Sequence, residues 1–190
     1  APYISMALTP MVLTARLMKK KHPGCKVVFV GPCAAKKLEA SRRSVRSDVD
    51  FVLTFEELMG MFEAKNIDIA KLAEGQPFTE GTAAGRGFAV SGGVAQAVVD
   101  AVKRMDPQRE VKVVSAEGLK DCKKLLLLAR AGKYDGYLLE GMACPGGCVA
   151  GAGTLQPVKK SAALVSKYKS EAEKQNAFES QYEVDLEHLD

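Results

Sequence analysis

The stretch Gly136-Tyr-Leu-Leu-Glu-Gly-Met-Ala-Cys-Pro-Gly-Gly-Cys148 decides the fold. Its first half, residues 136–140, is a short apolar run opened by glycine, and reads as a buried strand. Its second half is a loop with two cysteines four positions apart, a proline and two glycines between them, and more glycine behind. Such a loop is too flexible to pack a core, which raises the question of what it holds. Thiolates bind soft metals, which leaves zinc, copper(I) and iron–sulfur clusters open. Glycines would let main chain approach a bulky inorganic core and aim N–H groups at its sulfides. A zinc site more often adds further Cys or His to a short Cys spacing, and the two histidines, His22 and His188, lie far off in sequence. The plain alternative is a glycine turn with two small buried thiols.

Upstream, the chain alternates strand and helix signals. Thr9-Pro10 opens a helix, with Thr as cap and Pro in the first turn; Met11, Ala15 and Met18 recur at helical spacing, and His22-Pro23-Gly24 closes it. Strands are predicted at 26–31, 51–54, 87–90, 111–115 and 136–140. Thr54 and Glu57 fit a capping box opening a helix to about Asn66. Residues 73–87 read as a long loop. Helices are expected after Gly92-Gly93, with Val94, Val98, Ala101 and Met105 on one face and Asp106-Pro107 as the stop, then from about Gly118 to Arg130, and over roughly Lys160–Gln175.

Strands alternating with helices imply an α/β fold: a mostly parallel sheet flanked by helices on both faces. Ligands bind at the carboxyl ends of such strands. Cys33 follows the 26–31 strand, Ser91-Gly92-Gly93 follows the 87–90 strand, and Cys144 and Cys148 follow the last. All three cysteine-bearing or glycine-bearing loops are therefore expected on one edge. Lys36, three residues past Cys33, could share a helical face with it and hold an anionic ligand; the plain alternative is an exposed helix lysine.

Bulk composition bounds the rest. The 190 residues are 47% hydrophobic and 26% charged, enough for one core-bearing domain. Net charge is +4, with ten Lys/Arg against three Asp/Glu in residues 1–50 and seven acidic residues against one Lys in the last twenty. The basic runs Lys19–Lys21 and Arg42-Arg43 lack interleaved aromatics, so no nucleic acid is expected as partner. No apolar run spans a membrane. Five cysteines, an odd number, argue against a secreted disulfide framework and suit reduced thiols in the cytoplasm.

Taken together, GPCAAKKLE (residues 31–39) and EGMACPGGCVAGAG (residues 140–153) resemble the second and third signature motifs of the iron-only (diiron) hydrogenase large subunit. Those motifs read like MPCxxKKxE and ExMACPGGCxxGGG. DVDFVLTFEEL and FAVSGGVAQAV look like connecting segments of the same domain, so the resemblance covers roughly residues 5–157. It implies a 4Fe-4S cluster bound by four cysteines, one bridging to a diiron subcluster with CO and cyanide ligands. By motif, Cys33, Cys144 and Cys148 match three cluster ligands, Cys148 being the bridging one. Lys36 matches the residue contacting a cyanide, and Met142 a side chain packed near the diiron unit. Phe88, Ser91 and Gly92 fall in a pocket-lining segment, and Ser5 is matched with a proton-path serine.

The resemblance implies reversible oxidation of molecular hydrogen in an anaerobic bacterium. Implied partners are the remainder of the hydrogenase chain, ferredoxin-type electron-carrier domains and maturation proteins. The family's first motif, TSCCPxW, carries the fourth ligand and is absent, so a partial domain is expected over residues 1–157, inactive alone, with 158–190 packing on it or trailing from it. Gly31 stands where catalytic members carry Met, Met11 where many carry a polar residue, and Ala152 replaces a glycine. These departures resemble the sensory branch and are expected to loosen the pocket. The rival reading is a hydrogenase-like iron–sulfur assembly protein without a diiron unit. Cys25 and Cys122 match no motif and are expected to be core thiols.

Overall fold

The computed structural model describes residues 3–75 and 79–180, so His188 and the acidic end of the tail lie outside the described residues. The described chain forms two compact units. The first holds residues up to Ala70 together with Ala152–Thr154, and the second holds Lys71–Gly151 and the residues from Leu155 onward.

In the first unit, helix α1 (Pro10–Lys21) starts where Thr9 and Pro10 predict, although the Thr9 hydroxyl is used elsewhere and does not cap it. Strand β1 (Val28–Gly31) leads into the short helix α2 (Ala35–Ala40), and β2 (Phe51–Thr54) into α3 (Phe55–Ala64). β1 and β2 pair in parallel, Val28 opposite Phe51 and Gly31 opposite Thr54. The core is Met11, Val12 and Ala15 of α1 against Val49, with Leu8, Val27, Phe29, Ala40, Val45 and Val52 packed around it. Met11 is thus a core residue at 5% exposure. Full burial of one such side chain stabilises by roughly 1.5–3 kcal/mol. α3 opens with the full capping box: Glu57 N–H donates to the Thr54 hydroxyl and Thr54 N–H to the Glu57 carboxylate.

The second unit contains α4 (Ala83–Gly87), α5 (Gly93–Met105), β3 (Lys112–Glu117), α6 (Gly118–Arg130), β4 (Tyr137–Met142) and α7 (Val158–Ser170). β3 and β4 pair in parallel from Lys112 opposite Tyr137 to Glu117 opposite Met142. Two parallel two-stranded sheets therefore carry the α/β fold, each with helices packed on it.

One expected strand is absent. Residues 87–90 are the end of α4 and the turns after it, and α4 also occupies the end of the expected 73–87 loop. The reason is local. The Thr82 hydroxyl accepts the Gly85 amide at 3.0 Å, and the carbonyls of Lys174 and Gln175 accept the amides of Ala83 and Ala84 at 2.8 and 3.0 Å. Those bonds satisfy a helix start, and Phe88-Ala89-Val90 is too short to carry a strand against them.

The candidate cysteine site

The second unit builds its part of the site from two loops. β4 ends at Met142, and the chain turns through Cys144-Pro-Gly-Gly-Cys148. The Gly147 amide donates to the Cys144 carbonyl at 3.0 Å, closing the turn between the two cysteines. The loop 88–92 lies against it: Ser91 N–H donates to the Gly146 carbonyl (3.2 Å) and Val149 N–H to the Ala89 carbonyl (3.0 Å). Gly147 has φ +92°, and a Cβ there would sit 2.5 Å from the Ser91 nitrogen and 2.9 Å from the Ala89 oxygen. Only glycine fits, on both conformation and space. Ser91 and Gly92 are thereby placed beside the cysteine loop, while Phe88 is the residue that ends α4.

Two carboxylates fix these loops. Glu117, at the end of β3, accepts the Gly146 amide at 2.8 Å. The nearby Ser91 side chain, then the hydrogen bond from Gly146, hold the Glu117 carboxyl below its ordinary range against partial desolvation. Glu140, in β4 and buried, accepts the amides of Gly92 (2.7 Å) and Ala95 (3.0 Å) at the start of α5. Neither acid was singled out in the sequence. The available signal was an acid closing each apolar strand, and in Glu140 an acid inside the run that should be most buried.

Met142 is half-buried, and its carbonyl accepts the Cys122 thiol at 3.6 Å. Cys122 also reaches the Ala116 carbonyl at 3.4 Å, so it braces the ends of β3 and β4. Cys144 is partly buried and Cys148 exposed, and none of the five cysteines forms a disulfide.

The first unit carries Cys33 and Lys36. Cys33 follows β1 in a turn, two residues before α2 starts, so it does not share a helical face with Lys36; instead Lys36 N–H donates to the Cys33 carbonyl at 3.3 Å. The Pro32 carbonyl beside Cys33 accepts the Gly153 amide at 2.9 Å. A Cβ on Gly153 would lie 2.4 Å from the Thr54 Cβ, so this approach requires glycine. The Lys36 ammonium is not an idle surface charge: it donates to Glu39, whose other oxygen accepts the Thr9 hydroxyl. Burial raises the Glu39 carboxyl, but the hydrogen bonds from Lys36 and Thr9 and the charges of Lys36 and Arg42 outweigh it and hold the group below its ordinary 4.5. At Gly31 the Phe29 ring already occupies the space beside the Cα, 2.7 Å from where a Cβ would be, so the missing side chain leaves no gap there. Ser5 accepts the Ala7 amide and is exposed.

The donor set suits an iron–sulfur cluster in kind: soft thiols, and in the second unit a glycine cradle that no Cβ could enter. Among the described residues no group of three or more Cys, His, Asp or Glu is assembled to hold a metal ion. The CPGGC loop thus supplies two thiols and needs further ligands.

Comparison with known proteins gives the family. A profile of the iron-only hydrogenase large subunit, C-terminal domain, matches residues 1–152. The chain belongs to the iron-only hydrogenase family. Its sequence is 32% identical over 198 residues to the periplasmic [Fe] hydrogenase large subunit of Nitratidesulfovibrio vulgaris, covering 83% of this chain and 47% of the relative. It is 36% identical over 67 residues to the cytosolic Fe-S cluster assembly factor NAR1 of Kluyveromyces lactis, 35% of this chain and 14% of that protein. The chain spans under half the length of these curated relatives. In fold it is similar to the [FeFe]-hydrogenase HydA1 of Chlamydomonas reinhardtii, with a TM-score of 0.66 at 20% identity over 92% of this chain and 63% of that one. The hydrogenase-like domain thus has relatives among both hydrogenases and cluster-assembly factors. Among the described residues no helix is long and apolar enough to cross a membrane.

Proposed function

We propose that this chain is part of an iron-only hydrogenase catalytic domain, with Cys33, Cys144 and Cys148 as three of the four thiolates of a 4Fe-4S cluster and Cys148 bridging to a diiron subcluster. When bound, that group supplies the reversible interconversion of molecular hydrogen with protons and electrons. The single observation that carries the reading is the CPGGC loop. It is closed by the Gly147–Cys144 bond and docked on the 88–92 loop at a position where only glycine fits. A glycine turn around two inert thiols would not need that cradle.

The chain's own residues have defined tasks in this reading. Lys36 presents a positive charge, oriented by Glu39, for a cyanide ligand. Met142, half-buried at the end of β4, supplies apolar packing, and Phe88, Ser91 and Gly92 belong to the wall of the pocket. Residues 1–157 are the domain portion, and the packing of α7 on α4 supports the reading that the segment after residue 157 begins against it. The remainder of the chain, a ferredoxin-type electron carrier and maturation proteins complete the system. Cytoplasmic placement rests on the odd number of cysteines in the sequence; the Nitratidesulfovibrio relative is by its name periplasmic.

The test is maturation of the intact protein with a diiron precursor under anaerobic conditions. Infrared bands of bound CO and cyanide are expected, and they should vanish in Cys148→Ser. An intact protein that takes up a cluster but never shows those bands would instead fit an assembly protein without the diiron unit, the reading that the NAR1 similarity favours. The 190-residue chain alone is expected to evolve no hydrogen, and robust evolution would overturn the partial-domain reading.

A further inference from the structure

Glu117 has no place in the motif resemblance. It sits at the last position of β3, opposite Met142 and immediately before the glycine that opens α6. Its carboxylate does not serve its own helix, since no side-chain cap is made there. It reaches 29 residues along the chain to the Gly146 amide, at 2.8 Å. Gly146 is two residues from Cys144 and two from Cys148. Its carbonyl simultaneously accepts the Ser91 amide at 3.2 Å. One carboxylate therefore ties the end of β3 to the middle of the cysteine turn, and Gly146, held by it, accepts the amide of the 88–92 loop in turn.

Two consequences follow. The first is mechanical. A turn with two positive-φ glycines in succession (Gly146 at +97°, Gly147 at +92°) is entropically expensive to order, and a charge-assisted hydrogen bond at its centre offsets that cost. The second is electrostatic. A full negative charge bonded to the main chain between two thiolates opposes addition of an electron to whatever those thiolates hold.

We propose that Glu117 is the positioning residue of the cysteine turn: it holds Cys144 and Cys148 in a set geometry before any cofactor binds, and its charge lowers the reduction potential of the cluster they come to hold. The second half rests on the cluster reading given above; the first half does not.

The experiment separates them. In the metal-free chain, hydrogen exchange at the Gly146 and Ser91 amides is followed in wild type, Glu117→Ala and Glu117→Gln, with the α1 amides as reference. Glu117→Ala is expected to raise exchange at Gly146 about tenfold, with α1 unchanged. Glu117→Gln, which keeps an acceptor oxygen, is expected to lie near wild type. Wild-type protection at both amides in Glu117→Ala overturns the positioning role. Should Glu117→Ala fail to fold, Glu117→Asp, which keeps the charge but shortens the reach by one methylene, provides the same reading, with exchange at Gly146 expected to rise and an unchanged rate counting against the proposal. In the intact, matured protein, redox titration of Glu117→Gln is expected to give a cluster potential more positive than wild type, a change that a merely structural role would not produce; an unchanged potential overturns the electrostatic half. If the intact protein binds no cluster at all, the functional reading fails while the amide result stands by itself.

Discussion

Glu140 joins two distant segments of the second unit, its buried carboxylate accepting the Ala95 amide at 3.0 Å across 45 residues. Its other oxygen takes the Gly92 amide at 2.7 Å. This is a strand acid acting as the missing cap of α5, since Gly92 offers no side chain for the purpose. The negative group also lies at the positive end of the helix.

Replacement of Glu140 by Ala strands two amides at the start of α5. The loss is expected to be about 2–4 kcal/mol, the range for removing a buried charge-assisted partner. Glu140→Gln keeps an acceptor oxygen and should lose less than half of that. Urea unfolding monitored by circular dichroism measures both, and equal stability of the Ala variant and wild type would show the cap to be idle.

Gly147→Ala places a methyl group 2.5 Å from the Ser91 nitrogen with the main chain at φ +92°. Both the contact and the conformation oppose it, at a cost of roughly 2 kcal/mol or more. The expected outcome is a second unit with a displaced cysteine turn, read as faster alkylation of Cys144, while Gly24→Ala, at a positive φ with nothing near its Cα, should leave that rate alone.

Thr54→Ala removes the side-chain half of the capping box that starts α3. About 1 kcal/mol should be lost, seen as a lower urea midpoint. Thr54→Ser retains the oxygen and is expected to recover most of it.

Acidification should weaken the first unit in particular. Asp50 is held well below its ordinary 3.8, first by Lys19 and then by the Val27 amide and Lys26. Glu57 is held below 4.5, first by Lys37 and then by the Thr54 amide, and Glu39 is likewise lowered. All three are depressed on folding. Their stabilisation is complete above the ordinary carboxyl values and drains away as pH falls from about 4.5 through the lower folded values. Urea midpoints measured between pH 7 and pH 3 should fall, and Asp50→Asn should lower the midpoint at neutral pH while flattening the acid limb. A midpoint independent of pH over that interval would contradict the assignment.

The strands were legible where β-branched apolar runs met a clear turn signal, as at Val28–Gly31 and Phe51–Thr54. The capping box at Thr54 and Glu57 was legible for the same reason: it is a bond between near neighbours. Phe88-Ala89-Val90 misled because the deciding bonds come from Lys174 and Gln175, some ninety positions away. Glu117 and Glu140 stayed hidden for a related reason. A carboxylate at the end of a strand carries no local sign of the distant amide it will accept. The Lys36–Glu39 pair is legible in principle, since a spacing of three favours an ion pair on a helix, but the chemistry of Lys36 alone points to an anion instead.

Gly153 sets a schedule on synthesis. Its amide donates to the Pro32 carbonyl and its carbonyl accepts the Glu56 amide, so the first unit is closed by residues that leave the ribosome nearly a hundred positions after Glu56. The nascent β1–β2 pair must wait, open at that seam, while all the residues from Lys71 to Gly151 are translated. Neither unit can be excised by a single cut, and a stop codon placed anywhere before residue 153 leaves the earlier unit unsealed as well as the later one short.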